Sequence, residues 1–247
     1  MPASTEPGRK NEYGQPIGPA VDAWTERARP ARTPMAGRYC RLEPVDVGRH
    51  AADLFSAYME APDGRDWTYL FVERPGDPAA FRAYLEKAAA SNDPLHYTIV
   101  DLGEGSPARA VGTAALMRIE PVHGVIEVGS ITYSPRLKQT RAGTEAMFLM
   151  MRRAFDELGY RRYEWKCDAF NAPSRAAAKR YGFEYEGLFR QAVVYKGRSR
   201  DTAWFSITDR EWPRVRAAFE AWLAPQNFDA QGRQKESLSA LRDAAGA

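Results

Sequence analysis

Three polar side chains stand where proton transfer or hydrogen bonding could do chemistry. They are Glu127, inside an apolar run, and Asn171 and Ser174, on either side of Pro173. Residues 125–133 read VIEVGSITY, and alternation along a strand puts Glu127 on one face with Val125, Gly129 and Ile131. Such a face is poorly solvated, which disfavours a charged carboxylate and suits it to accept a proton. An ion-paired glutamate that only positions a substrate would leave the same trace. Asn171 and Ser174 precede RAAAKRYGF and read equally as caps of a helix that Pro173 begins. Residues 138–144, KQTRAGT, supply a third feature: a basic, small-residue turn ahead of an amphipathic helix. Backbone donors at a helix N-terminus suit an anion such as a pyrophosphate.

The elements that must position these residues follow from periodicity. A strand over 125–133 leads into a helix over about 142–158, and a strand over 163–167 leads into the helix at Asn171. Two strand-to-helix units in succession imply neighbouring, roughly parallel strands with a ligand crevice at their carboxyl ends. Met147, Met150, Met151, Ala154 and Leu158 recur at spacings of three and four, which marks a core face rather than a cofactor box. Upstream, strands are expected over 39–42, 95–100 and 110–119, the last two joined through Gly103 and Gly105-Ser106-Pro107. Helices are expected over 51–59 and after Asp77-Pro78. Downstream, 193–196 and 201–207 read as a hairpin turning at Gly197, and Asp209 as the cap of a helix carrying Trp212, Val215, Phe219 and Trp222.

Glu127-Val128-Gly129, Thr144-Glu145-Ala146, Asn171-Ala172-Pro173-Ser174 and Gly182-Phe183 occur in a telling order and spacing. Together they resemble the cofactor-binding half of the GNAT acyl-CoA N-acyltransferases, over roughly residues 37 to 210. The likeness is greatest to the Rim-type branch of ribosomal-protein N-terminal acetyltransferases. The resemblance implies an α/β (α+β) GNAT fold, with a central mixed, strongly twisted sheet of about seven strands flanked by helices. It also implies acetyl-CoA as co-substrate, with no metal, and acetyl transfer to a primary amine of a peptide N-terminus or a small molecule. Cofactor contacts would come from Ile131, Tyr133, Lys138, Thr140, Arg141, Ala142, Gly143, Thr144, Asn171 and Ser174. Glu127 would help remove the amine proton, and Ser174 would assist the departing sulfur. Two departures stand out. Arg141 occupies the place of the first glycine in the family's Gln/Arg-x-x-Gly-x-Gly/Ala turn. Ala178 stands where many relatives carry a tyrosine acid, and Tyr181 is offset by most of a turn.

Direct attack by the amine needs no protein nucleophile. His50, His96 and His123 are scattered, and Cys40 and Cys167 are too few and too far apart for a metal site. The acceptor side is read from the aromatic stretch Asp66–Phe71, with Trp67 and Tyr69 as candidates, and from Arg190 and Tyr195 on late strands. Core packing accounts for those aromatics equally well. A non-catalytic acyl-CoA-binding or regulatory module is the alternative reading.

Composition bounds the rest. The 247 residues are 44% hydrophobic and 27% charged, with a net charge of +3 and no dense Lys/Arg block, so no nucleic-acid partner is expected. No membrane-length apolar run or signal peptide is visible, and a cytoplasmic monomer or homodimer is expected. Residues 1–36 carry six prolines and form an arm expected to dock on the 37–225 domain through Tyr13, Pro16, Ile17, Val21 and Trp24. Residues 226–247 read as a polar tail, frayed apart from a short helix over SLSALRDAA.

Overall fold

The chain alternates strand and helix around one sheet in the computed structural model, which describes residues 9–103 and 107–245. Gly105-Ser106 and the first eight residues of the arm lie outside the described residues. In order, the elements begin β1 (Arg9–Lys10), β2 (Pro16–Ile17), β3 (Met35–Ala36), β4 (Cys40–Pro44), α1 (Val47–Met59) and α2 (Pro78–Ala90). Then come β5 (Leu95–Asp101), β6 (Arg109–Glu120), β7 (Val125–Tyr133), α3 (Arg141–Arg152), β8 (Arg162–Asp168) and α4 (Ala172–Tyr181). The chain ends with β9 (Glu184–Tyr195), β10 (Arg198–Thr208), α5 (Trp212–Leu223) and α6 (Leu238–Ala244).

The main sheet has eight strands in the order β3-β4-β5-β6-β7-β8-β10-β9, and only the β7–β8 pair is parallel. That is the mixed sheet expected, with one strand more: β3 has two residues and shows no sequence pattern. The crossover from β7 to β8 runs through α3. Its Met147, Met150 and Met151, with Ala154 just past its end, are all buried in the larger core, as their spacing predicts. A second core lies under α1 and α2 and holds Leu54, Tyr58, Trp67, Phe81 and Leu85.

Glu145 ties α3 to the other side of the sheet. Its buried carboxylate accepts the amides of Arg38, Tyr39 and Cys40 at 2.8, 2.7 and 2.8 Å. A side chain at Gly37 would collide with that carboxylate.

Three local expectations are revised. Helical winding continues past α3 as a π turn over Arg153–Glu157, the last part of the helix expected to reach residue 158. Glu211, not Asp209, stands at the N-cap of α5, and its carboxylate accepts Thr208 N and Oγ1, both at 2.7 Å. The segment after Asn227 folds back onto the core. Leu238 of α6 is buried, Phe228 meets Trp222 edge-on at 5.1 Å, and Arg242 Nη1 donates to the carbonyls of Lys179 and Arg180 at 3.2 and 3.0 Å. The polar residues of this stretch satisfy backbone groups at the end of α4, which a hydrophobicity pattern cannot show.

In the arm, Trp24 is the anchor: its Nε1 donates to Val122 O at 2.9 Å. Tyr13, Ile17 and Val21 are exposed. Arg29 reaches Ile119 O at 3.1 Å, and Tyr97 and Tyr160 donate to Ala31 O and Ala28 O at 3.0 and 3.2 Å. No helix among the described residues is long and apolar enough to cross a membrane.

Candidate active site

Past Val128 the two parallel strands part. β7 pairs with β8 from Val125↔Arg162 to Val128↔Trp165 and no further, although both strands continue. Ser130, just beyond the last pair, has a left-handed φ of 48°. The gap opens into a cleft of about 1730 Å³ lined by residues 128–133 of β7 and 165–168 of β8. The first turn of α3, the start of α4, residues 69–72, parts of β6, β9 and β10 and the segment after Asn227 also line it. Backbone groups of Gly129–Ile131 on the β8 side have no strand partner there, so an extended, amide-bearing ligand can take that place.

The turn before α3 is built by Thr140. Its Oγ1 donates to Leu137 O at 2.8 Å and accepts Gly143 N at 3.0 Å, and its carbonyl accepts Thr144 N at 3.2 Å. Two of the first-turn amides are thus already committed. Gln139, with φ of 60°, turns the chain into the helix, and the amides of Gln139, Thr140 and Ala142 donate to no acceptor among the described residues. With the helix dipole behind them, these donors suit phosphate oxygens. Gly143 is required for close packing: a Cβ there would come within 2.6 Å of Leu137 O and 3.0 Å of Tyr133 Cε2. The Tyr133 hydroxyl donates to Gly143 O at 2.7 Å and fixes the same contact from β7.

Arg141 directs its guanidinium between the rings of Tyr39 and Phe228, 4.8 and 4.9 Å from their centroids. Lys138 pairs with Asp66 at 2.5 Å. Arg180 enters the cleft lining and donates to Thr144 Oγ1 at 3.2 Å.

Glu127 sits in a row of alternating charge. It is 2% exposed; Arg118 Nη1 meets its two oxygens at 2.8 and 2.6 Å, and Lys166 Nζ meets Oε2 at 2.9 Å. Lys166 also bonds Glu164 at 2.6 Å and stands 3.8 Å over the Trp204 ring, and Arg162 closes the row on Glu164 at 2.6 Å. The expectation of a poorly solvated carboxylate therefore needs an addition, because two cations balance its charge.

Asn171 caps α4: its Oδ1 accepts Ser174 N at 3.1 Å. Ser174 Oγ accepts the Trp165 indole N–H at 2.9 Å, so its hydroxyl proton is the part that donates, with the Cys167 sulfur as its neighbour. Burial pushes the neighbouring Cys167 thiol up, opposed by its hydrogen bond with Ser174. Cys40 is buried beside Glu145, and its thiol is raised far more strongly, by burial first and then by that carboxylate.

The cleft brings together Glu127, Ile131, Tyr133, Lys138, Thr140, Arg141, Gly143, Thr144, Asn171, Ser174 and Tyr69. It does not bring in Ala142, which lines a smaller depression beside Tyr39. Nor does it bring in three acceptor-side candidates. Trp67 is 2% exposed and packs edge-on against Tyr58 and Tyr84, since a 3-10 turn over Arg65–Trp67 points it into the second core. Tyr195 is buried with its hydroxyl on Asp168 Oδ2 at 2.8 Å, and Arg190 is exposed on β9. Tyr69 spans the cleft mouth instead, donating to Phe170 O at 3.2 Å. Arg118, Lys166, Arg200 and Trp204 line the cleft without having been singled out from sequence, as do Phe228 and residues 231–234. The available signal was the alternation of β8, where Arg162, Glu164, Lys166 and Asp168 fall on one face between Tyr163, Trp165 and Cys167.

A family model described as an acetyltransferase (GNAT) domain matches residues 40–184. Among solved structures, a GCN5-related N-acetyltransferase from Brucella melitensis is 48% identical, covers 90% of this chain and 100% of its own, and superposes with a TM-score of 0.87. A GNAT-family protein from Chromobacterium violaceum ATCC 12472 is 38% identical over 81% of this chain and 98% of its own, with a TM-score of 0.72. The microcin C7 self-immunity acetyltransferase MccE, solved in complex with acetyl-CoA and AMP, shares the fold. It is 17% identical over 70% of this chain and 93% of its own, with a TM-score of 0.57. Comparison with the curated proteins finds no match.

Proposed function

Because the chain belongs to the GNAT acetyltransferase family, we propose that it moves the acetyl group of acetyl-CoA directly to a primary amine, on a peptide or protein N-terminus or on a small molecule. The observation that carries this reading is the parting of β7 and β8 immediately beside the α3 turn. A phosphate-terminated, amide-bearing donor needs both features together: unpaired amides at a helix start and a strand edge for its arm. Gln139 and Thr140 supply the amides, Arg180 and Lys138 the nearby charge, and Gly129–Ile131 the strand edge.

Chemistry falls to residues around the gap. Glu127 takes the amine proton, directly or through water, while Arg118 and Lys166 hold its oxygens in place. Ser174, already accepting from Trp165, donates its hydroxyl proton toward the departing sulfur. Neither cysteine is needed, and burial keeps both in the thiol form, which is a poor nucleophile.

Titration calorimetry with CoA, followed by thiol release from acetyl-CoA against a panel of amines, tests this directly. Tight CoA binding with amine-dependent thiol release is the expected result. Binding without release by any amine would favour a non-catalytic acyl-CoA-binding module. No CoA binding by folded protein would refute the donor site.

A further inference from the structure

Among the described residues, Arg200 is the one arginine lining the cleft that is itself buried. Its residue is 8% exposed, and Nε donates to Thr202 Oγ1 at 3.1 Å. The guanidinium carbon lies 5.6 Å from the Phe71 ring and 6.0 Å from the Tyr195 ring. It forms no ion pair among the described residues. Asp168, the neighbouring buried carboxylate, is committed to Tyr195 Oη and Phe170 N at 2.8 and 2.9 Å. Arg118 and Lys166, by contrast, are both paired with Glu127. A guanidinium withdrawn from water without a carboxylate is costly, and its planar fork suits a two-oxygen anion.

We propose that Arg200 is a specificity-determining residue that binds an anionic group, carboxylate or phosphate, on the acceptor, so that the preferred substrate is an amine carrying a negative charge. The proposal rests on the acetyl-transfer reading and deepens it. Arg200 shares the cleft with Glu127, and Phe71 beside it, with Phe189 of β9 and Trp204 of β10, also lines it. Phe189 and Trp204 stack at 4.4 Å and give the wall a flat aromatic surface. An aromatic or planar portion between amine and anion fits that wall.

Matched probes test the proposal: phenylalanine against phenylalaninamide for the carboxylate, and O-phosphotyrosinamide against tyrosinamide for the phosphate. Each is titrated calorimetrically into the protein with and without CoA, and then assayed as an acceptor. At least one anionic probe should bind about 10–100-fold more tightly than its neutral twin, as for a charge-assisted pair. Arg200→Met should erase that preference while leaving CoA affinity and the neutral probes unchanged. Arg200→Lys should restore part of it. Arg200→Met should also melt no lower than the parent, because the fold loses an unbalanced buried charge. Equal binding of both members of each pair, or a preference that survives Arg200→Met, would overturn the proposal. A lower melting temperature with unchanged preference would assign Arg200 to packing against Phe71 and Tyr195. Loss of CoA binding in the parent would bring down the donor reading alone, since the probes are also titrated without CoA.

Discussion

Glu127 shows how much one residue's meaning depends on its partners. Its place on a buried strand face is readable from alternation, but Arg118 and Lys166 reach it only through the register of β6 and β8 against β7. The reading as a base predicts that Glu127→Gln lowers turnover by about 10²–10⁴-fold while CoA affinity stays near the parent value. Steady-state kinetics and calorimetry check the two halves separately, and an unchanged turnover would reduce Glu127 to a strut for the ion-pair row. His96 gives a pH prediction of a different kind. Burial, aided by Arg32, pushes its imidazole down to about 4 from an ordinary 6.5. The unfolded chain therefore binds a proton between about pH 6.5 and 4 that the native state refuses, so stability falls as pH falls through that window. His96→Gln should flatten the melting-temperature profile there, and a profile unchanged by the substitution would place its acid sensitivity elsewhere. Both thiols stay protonated in their buried settings, so incubation with acetyl-CoA alone should leave the protein's mass unaltered.

At the scale of elements, the α3 side of the cleft was legible and the opposite wall was not. Strand β7, helix α3 and the Asn171 start of α4 are local patterns: alternation, a period of 3.6 and a cap. The turn at residues 138–144 is likewise contiguous, so its chemistry could be read without knowing the fold. What sequence could not show is how the turn is made. Gly143 is needed for contact with Leu137 and Tyr133, while Arg141, in the usual glycine place, sends its side chain away between two rings. That wall is assembled from β6, β8, β9, β10 and an irregular segment, and within 67–71 the 3-10 turn decides that Trp67 is core while Tyr69 and Phe71 line the cleft. Glu145 carries a prediction at this scale, because its carboxylate joins α3 to the β3–β4 connection and the first residue of β4 through three backbone amides. Glu145→Ala strands those donors in a buried site and should cost roughly 3–5 kcal/mol, read as a lower denaturant midpoint at unchanged slope. A loss below about 1 kcal/mol would mean the amides find other partners.

The two ends of the chain make opposite use of the same device, a polar segment folded over the core. The N-terminal arm from Trp24 to Pro34 lies along Val122, Ile119, Tyr97, Tyr160 and Arg153, none of which lines the cleft. The C-terminal segment instead lines the cleft beside the start of α3. Phe228 flanks Arg141, residues 231–234 line the cleft, Trp222 Nε1 donates to Gln234 Oε1 at 2.8 Å, and Arg242 closes the end of the α4 helix that carries Arg180. Truncating either end therefore separates stability from ligand affinity. Deleting residues 1–30 should lower the melting temperature, because Trp24 and Arg29 lose their bonds, yet leave CoA affinity within a few-fold, roughly RT of binding energy. Phe228→Ala, a milder probe than removing the whole C-terminal segment, should weaken CoA by about tenfold, because Phe228 itself lines the cleft and its loss removes apolar contact worth about 1.4 kcal/mol. Its effect on melting should stay small, since Trp222 remains packed in the main core. Calorimetry and thermal melts on the two variants give four numbers, and the reading requires them to cross. If arm deletion weakens CoA while Phe228→Ala does not, the segment over the donor turn is a structural cover and the arm is the part of the molecule coupled to the ligand.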